Sequence, residues 1–124
     1  LVNEEWKVFI ETRNKKDYDI ARDAWIMDFY DAGSILETLI SNSPQNNTGY
    51  NNPKFDEAMT NAAREMSHEK RVNFMHEAES YLMEDLPVAP IYFYSSAVMQ
   101  SKRVKNIHRS PLGFVLFRGA EIVK

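Results

Sequence analysis

The chain has 124 residues, 44% hydrophobic and 27% charged, which is the composition of one globular domain with a core rather than of a disordered segment. No apolar run approaches the roughly 20 residues of a membrane helix, and a net charge of −3 supplies no clustered cations for displacing counterions from nucleic-acid phosphates. The absence of cysteine excludes disulfides and thiolate metal sites and leaves the redox compartment open.

Trp6, Phe9 and Ile10 recur at i, i+3, i+4, with Glu4 and Glu5 early and Arg13, Lys15 and Lys16 late, so a helix is predicted from Asn3 to Asn14 with charges matching its dipole. Tyr18 to Trp25 mixes β-compatible and polar residues and reads as a strand without clean alternation. It runs into an exposed Trp-x-x-Asp, where a sheet edge is expected to open. Ser34 followed by Glu37 has the pattern of a capping box, and Ile35, Leu36, Leu39 and Ile40 supply the apolar residues of a short helix beginning at Ser34. The run SNSPQNNTGYNNP, residues 41–53, is dense in Asn, Ser, Pro and Gly, and only a loop suits it.

Asn52 before Pro53 is a cap followed by a proline at the first helical position, and Phe55, Ala58, Met59, Ala62, Ala63 and Met66 form one stripe. Ser67 caps the next predicted helix, whose face is Val72, Met75, Ala78 and Leu82, widened by Phe74 and Tyr81, until Pro87 ends it. The two helices are expected to pair antiparallel. Val88 to Tyr94 is β-branched and aromatic with Pro90 inside, an edge-like or interrupted strand, and Ala97 to Gln100 and Val115 to Phe117 are shorter strand candidates. Tyr92, Phe93 and Tyr94 are read as core and strand packing, not as a platform for bases.

Elements alternating in this way suit an α/β layer over residues 1–95. The tail from Ser96 is different: a basic run from Ser101 to Arg109, with Pro111 and Gly113, precedes a lone apolar segment that cannot bury itself. An unpaired strand there favours pairing with another chain, so dimerisation or strand swapping is expected of the isolated chain.

Among residues that could carry chemistry, Asp28 has two readings. A carboxylate at a sheet end accepts charge-assisted hydrogen bonds from a peptide's terminal ammonium, and an Asp before a helix equally often organises the turn. Trp25, three residues earlier, is either a rigid wall beside a ligand or an ordinary core residue. Asp28 and Asp31 at i and i+3 resemble a carboxylate pair, but spacing does not supply glycosidase geometry, and the chain is not read as an enzyme. Asp17, Asp19 and Asp23 lack the glycine and terminal Glu of a calcium loop. His68 and His76 lack His-x-x-x-His spacing, so no metal or other cofactor is expected. Asn46-Asn47-Thr48 matches the glycosylation sequon, and the basic run 102–109 reads as a solvated loop.

Several pieces taken together carry a resemblance: Trp6-x-x-Phe9-x-x-x-Arg13; Asp19-Ile20-Ala21-Arg22-x-x-Trp25-x-x-Asp28-Phe29; Asn47-x-x-Tyr50-x-Asn52-x-x-Phe55-Asp56; Arg71; Ala78-Glu79; and Leu86-Pro87-Val88-Ala89-Pro90-Ile91-Tyr92-Phe93-Tyr94. In this order they resemble the C-terminal third of the bacterial solute-binding proteins that serve ABC importers of oligopeptides. The resemblance implies a fragment of a two-lobed periplasmic-binding-protein-like (type II) α/β fold, a mixed sheet with flanking helices. Residues 1–95 would belong to the C-terminal lobe, with 96–124 returning to the other lobe. A start at Leu1 rather than Met fits such a piece. The implied function is binding of extended oligopeptides outside the cytoplasmic membrane, in the periplasm or on a lipid-anchored receptor, and delivery to the permease subunits. By the same resemblance Asp28 would take the peptide's ammonium, Trp25 would wall the site, Ala24, Ile26 and Met27 would offer backbone groups, and Arg22 would face the ligand's carboxylate end. Ile26-Met27 is bulkier than the small residues often found there, and the turn at 29–33 lacks an expected proline. Alternatives are the same scaffold carrying a dipeptide, nickel complex, haem or oligosaccharide, or a helical protein-interaction module.

Overall fold

Asn52 has extended backbone (φ −134°, ψ 108°), and its Oδ1 accepts the Lys54 and Phe55 N–H groups at 2.9 and 3.4 Å. Pro53 fills the first helical position, where a missing N–H is harmless. In the computed structural model, which describes residues 2–124, this cap starts helix α3, Pro53–Arg64. Leu1, the first residue of the expected lobe portion, lies outside the described residues. Helix α4, His68–Asp85, ends where Leu86 turns left-handed (φ 50°) ahead of Pro87. Tyr50 and Asn52, at the start of α3, both donate to Asp85 at the end of α4, so the pair is antiparallel as expected.

Phe55, Ala58, Met59 and Ala62 of α3 meet Met75, Ala78 and Leu82 of α4, and Leu36 and Leu39 close the cluster. Phe55 and Ala78 are fully buried; a buried Phe side chain alone contributes about 1.5–3 kcal/mol. The apolar stripe stops sooner than its spacing suggests. Glu65 leaves the helical region (ψ 126°), so Met66 loses the helical phase and stands 97% exposed.

Helix α1 is Trp6–Lys15, beginning later than predicted because the Glu5 carboxylate caps it by accepting the Lys7 N–H at 2.9 Å. None of its residues is buried. Helix α2, Gly33–Leu36, continues into a 3-10 turn, Glu37–Leu39. The capping box expected at Ser34 does not form, since Ser34 is fully buried inside the helix and the position before the helix is Ala32. Asp31 does the capping instead: its Oδ1 accepts the Gly33 N–H at 2.8 Å and its carbonyl accepts the Ser34 N–H at 3.0 Å. Ser67 likewise makes no side-chain cap to α4; its N–H donates to Glu65 Oε1 at 2.8 Å.

The tail folds onto itself in two short antiparallel ladders. β1, Val104–Lys105, pairs with β4, Glu121–Ile122, and β2, His108–Arg109, pairs with β3, Val115–Leu116. Burial remains small there, with Phe114, Phe117 and Ile122 exposed. Helices and small sheets together agree with an α/β fragment. The strands expected at Tyr18–Trp25, Val88–Tyr94 and Ala97–Gln100 are irregular, as no described segment lies alongside to supply a ladder of donors and acceptors. Ile91 and Phe93 are consequently exposed rather than packed. Among the described residues no helix is long and apolar enough to cross a membrane.

Candidate functional site

Two hydrogen bonds steer the chain between α1 and α2. Tyr18 Oη donates to the Asn47 carbonyl at 2.7 Å, and Arg13 Nη1 pairs with Asp23 Oδ1 at 2.5 Å. Asp23 also accepts the Ala24 N–H at 2.8 Å, so the backbone is set one residue before Trp25. Beyond it, Trp25 and Asp28 line one open cavity of about 330 Å³, opposite Glu37, Thr38 and Ile40 of the 3-10 segment and Asn42, Ser43 and Gln45 of the loop.

The two readings of Asp28 separate here. Its backbone N–H donates to Ser34 Oγ at 3.0 Å, while its carboxylate enters no hydrogen bond or ion pair among the described residues. Turn-making belongs to Asp31, whose carboxylate is gripped by Arg71 in a fork of 2.6 and 2.7 Å. Hydrogen bonds from Arg71 hold the Asp31 carboxyl below its usual range, and the same bonds push Arg71 up. With both oxygens so engaged, Asp31 is not available as one half of a catalytic carboxylate pair.

The loop wall is built around Asn46, a buried polar residue. Its Nδ2 donates to the Tyr50, Ile40 and Leu39 carbonyls at 2.8, 3.3 and 3.5 Å, and its Oδ1 accepts from Thr48 Oγ1 and the Gly49 N–H. The sequon asparagine is thus a structural residue whose amide is already occupied. Ser41 N–H donates to Asp56 Oδ1 at 3.0 Å, which ties the loop's start to α3.

Arg22, Ala24 and Ile26 are exposed and Met27 is half-buried, and none of the four lines this cavity. Glu37, Thr38, Asn42, Ser43 and Gln45 do line it and were not read from sequence as site residues; a dense polar loop following the Trp-x-x-Asp was the only hint. His68 and His76 flank a second cavity of about 340 Å³, where Ile35, Val72 and Met75 give an apolar lining. His76 Nδ1 lies 3.3 Å from Glu79 Oε2. Among the described residues no group of three or more His, Cys, Asp or Glu could hold a metal ion.

No protein-family model matches the chain. It is 36% identical over 121 residues to the oligopeptide-binding protein OppA of Bacillus subtilis, covering 97% of this chain and 22% of the relative. It is 34% identical over 125 residues to the periplasmic oligopeptide-binding protein OppA of Escherichia coli, covering 100% of this chain and 23% of the relative. Among solved structures, the pheromone receptor PrgZ, described with its mode of peptide binding, superposes with a TM-score of 0.83 at 29% identity, covering 99% of this chain and 24% of that one. The chain therefore spans less than a quarter of the length of these curated relatives.

Proposed function

We propose, for a chain that belongs to the family of bacterial oligopeptide-binding proteins, that it supplies part of the peptide cleft of a solute-binding receptor working outside the cytoplasmic membrane. In the intact receptor an extended peptide lies between two lobes that close by hinge motion, and the closed form delivers it to the permease of an ABC importer. No bond of the ligand is made or broken. Residues 1–95 belong to one lobe and 96–124 return to the other. The exposed, unladdered segments are the surfaces that the rest of the receptor covers; isolated from it, the chain dimerises or swaps strands.

Asp28 takes the peptide's ammonium and fixes its register, Trp25 walls the first pocket, and the backbone of Ala24, Ile26 and Met27 pairs with the peptide main chain whatever its side chains. Arg22 faces the carboxylate end. The observation that carries this reading is the cavity joining Trp25 to Asp28, with the Asp28 carboxylate outside every intramolecular hydrogen bond among the described residues. An exposed carboxylate that lines an open cavity and has no partner of its own among the described residues is one suited to an incoming cation. Replacing Asp28 by Asn in the intact protein should weaken binding of free-amine peptides by about 1.5–3 kcal/mol, the scale of a charged hydrogen bond. Calorimetric affinity unchanged by Asp28→Asn would remove it from the site.

A further inference from the structure

The Asp28 backbone is not held by its own neighbours alone. Its N–H ends on Ser34 Oγ, a hydroxyl with no exposure. Ser34 is placed by its own N–H, which donates to the Asp31 carbonyl, and the Asp31 side chain is clamped by the Arg71 guanidinium from α4, 40 residues along the chain. α4 is anchored in the core through Met75, Ala78 and Leu82, so the fork transmits a rigid reference to a short turn that has little packing of its own. Gly33 leaves no room for slack: a Cβ there would lie 2.8 Å from Asp31 Oδ1 and 3.2 Å from Arg71 Nη2. A planar guanidinium satisfies both carboxylate oxygens with defined geometry, which an ammonium cannot do.

We infer that Arg71, Asp31 and Ser34 form a positioning relay that holds Asp28 at the cavity for capture of a peptide's terminal amine. The inference rests on the reading of Asp28 as the amine anchor. None of the three relay residues touches the ligand; Asp31 and Ser34 set the turn and Arg71 sets Asp31. A merely structural fork would affect all ligands alike, whereas a relay acting through Asp28 affects the discrimination between free and blocked amines.

The test measures, in the intact protein, affinity for one short peptide with a free amino terminus and for its N-acetylated form. Wild type should prefer the free form, and Arg71→Gln should reduce that preference about three- to tenfold, the range of coupling between groups in one network. Arg71→Lys, which keeps the charge and loses the fork, should reduce it as well, and guards against misfolding of the first variant. In the Asp28→Asn background, Arg71→Gln should change the preference no further. A preference retained in both Arg71 variants overturns the relay and leaves the Asp28 anchor standing. Equal losses for free and acetylated peptides also overturn it, leaving the fork a stabilising contact. A wild-type protein without preference overturns the anchor itself, and the relay with it.

Discussion

Asn46 is the residue whose replacement tests the loop wall most sharply. Its amide makes one well-formed donor bond, to the Tyr50 carbonyl at 2.8 Å, and accepts two, from Thr48 Oγ1 at 2.9 Å and Gly49 N–H at 3.1 Å; the donor contacts at 3.3 and 3.5 Å add little. Three such bonds at about 1 kcal/mol net each, partly offset by water reaching the half-buried carbonyls, give about 2–3 kcal/mol for Asn46→Ala. Asn46→Asp is the more telling change. It retains both acceptor bonds but turns an oxygen toward the Tyr50, Ile40 and Leu39 carbonyls, so it should destabilise at neutral pH by at least as much. Protonation restores a donor, so the aspartate is expected to have a raised folded pKa and stability should recover on acidification. Urea unfolding of the intact variants, with hydrogen exchange at the Gly49 amide as the local probe, reads both effects. A loss below about 0.5 kcal/mol, within the range of ordinary surface substitutions, would refute the loop's dependence on Asn46.

Leu82→Ala should lose about 2–5 kcal/mol in the same denaturation assay, and Met66→Ala should stay within about 0.5 kcal/mol, because only the former side chain is in the α3/α4 core. Comparable effects at the two positions would contradict the assigned core. Tyr50, whose hydroxyl donates to Asp85, has its pKa pushed up from 10.0 to about 12, first by burial and then by that bond. A raised folded value means that its contribution is present below pH 10 and is lost as pH rises through about 12. Ultraviolet titration should show Tyr50 ionising late, at about pH 12, with Tyr81 also raised by desolvation and its bond to Glu77; Tyr50→Phe should remove the Tyr50 phase, and ionisation of every tyrosine near pH 10 would contradict the arrangement.

Local signals were readable where the physics was local. Asn52-Pro53 starts α3 because a side-chain acceptor and a fixed φ act within three residues, and the stripe from Phe55 to Ala62 meets the α4 face as its period dictates. Ser34-x-x-Glu37 had the pattern of a capping box, yet the Asp31 carbonyl takes the Ser34 N–H that Glu37 would have accepted, and the 40-residue link from Asp31 to Arg71 has no local signature. Strand propensity at Tyr18–Trp25 and Val88–Tyr94 did not become strand, because propensity does not by itself create a ladder, which needs a second segment. Trp25 and Asp28 were singled out through their spacing and resemblance, and both line one cavity. The polar wall from Asn42 to Gln45 was legible only as loop, since which carbonyls Asn46 would reach depends on how that loop closes.

The central claim is that the Asp28 carboxylate anchors a peptide's amino terminus. Calorimetry on the intact protein, comparing a pool of short peptides with free amino termini against the same pool N-acetylated, tests it most directly. The account predicts clearly tighter binding of the free pool, by roughly 10-fold or more if one charged hydrogen bond is at stake; equal binding of the two pools, or none of either, would contradict it.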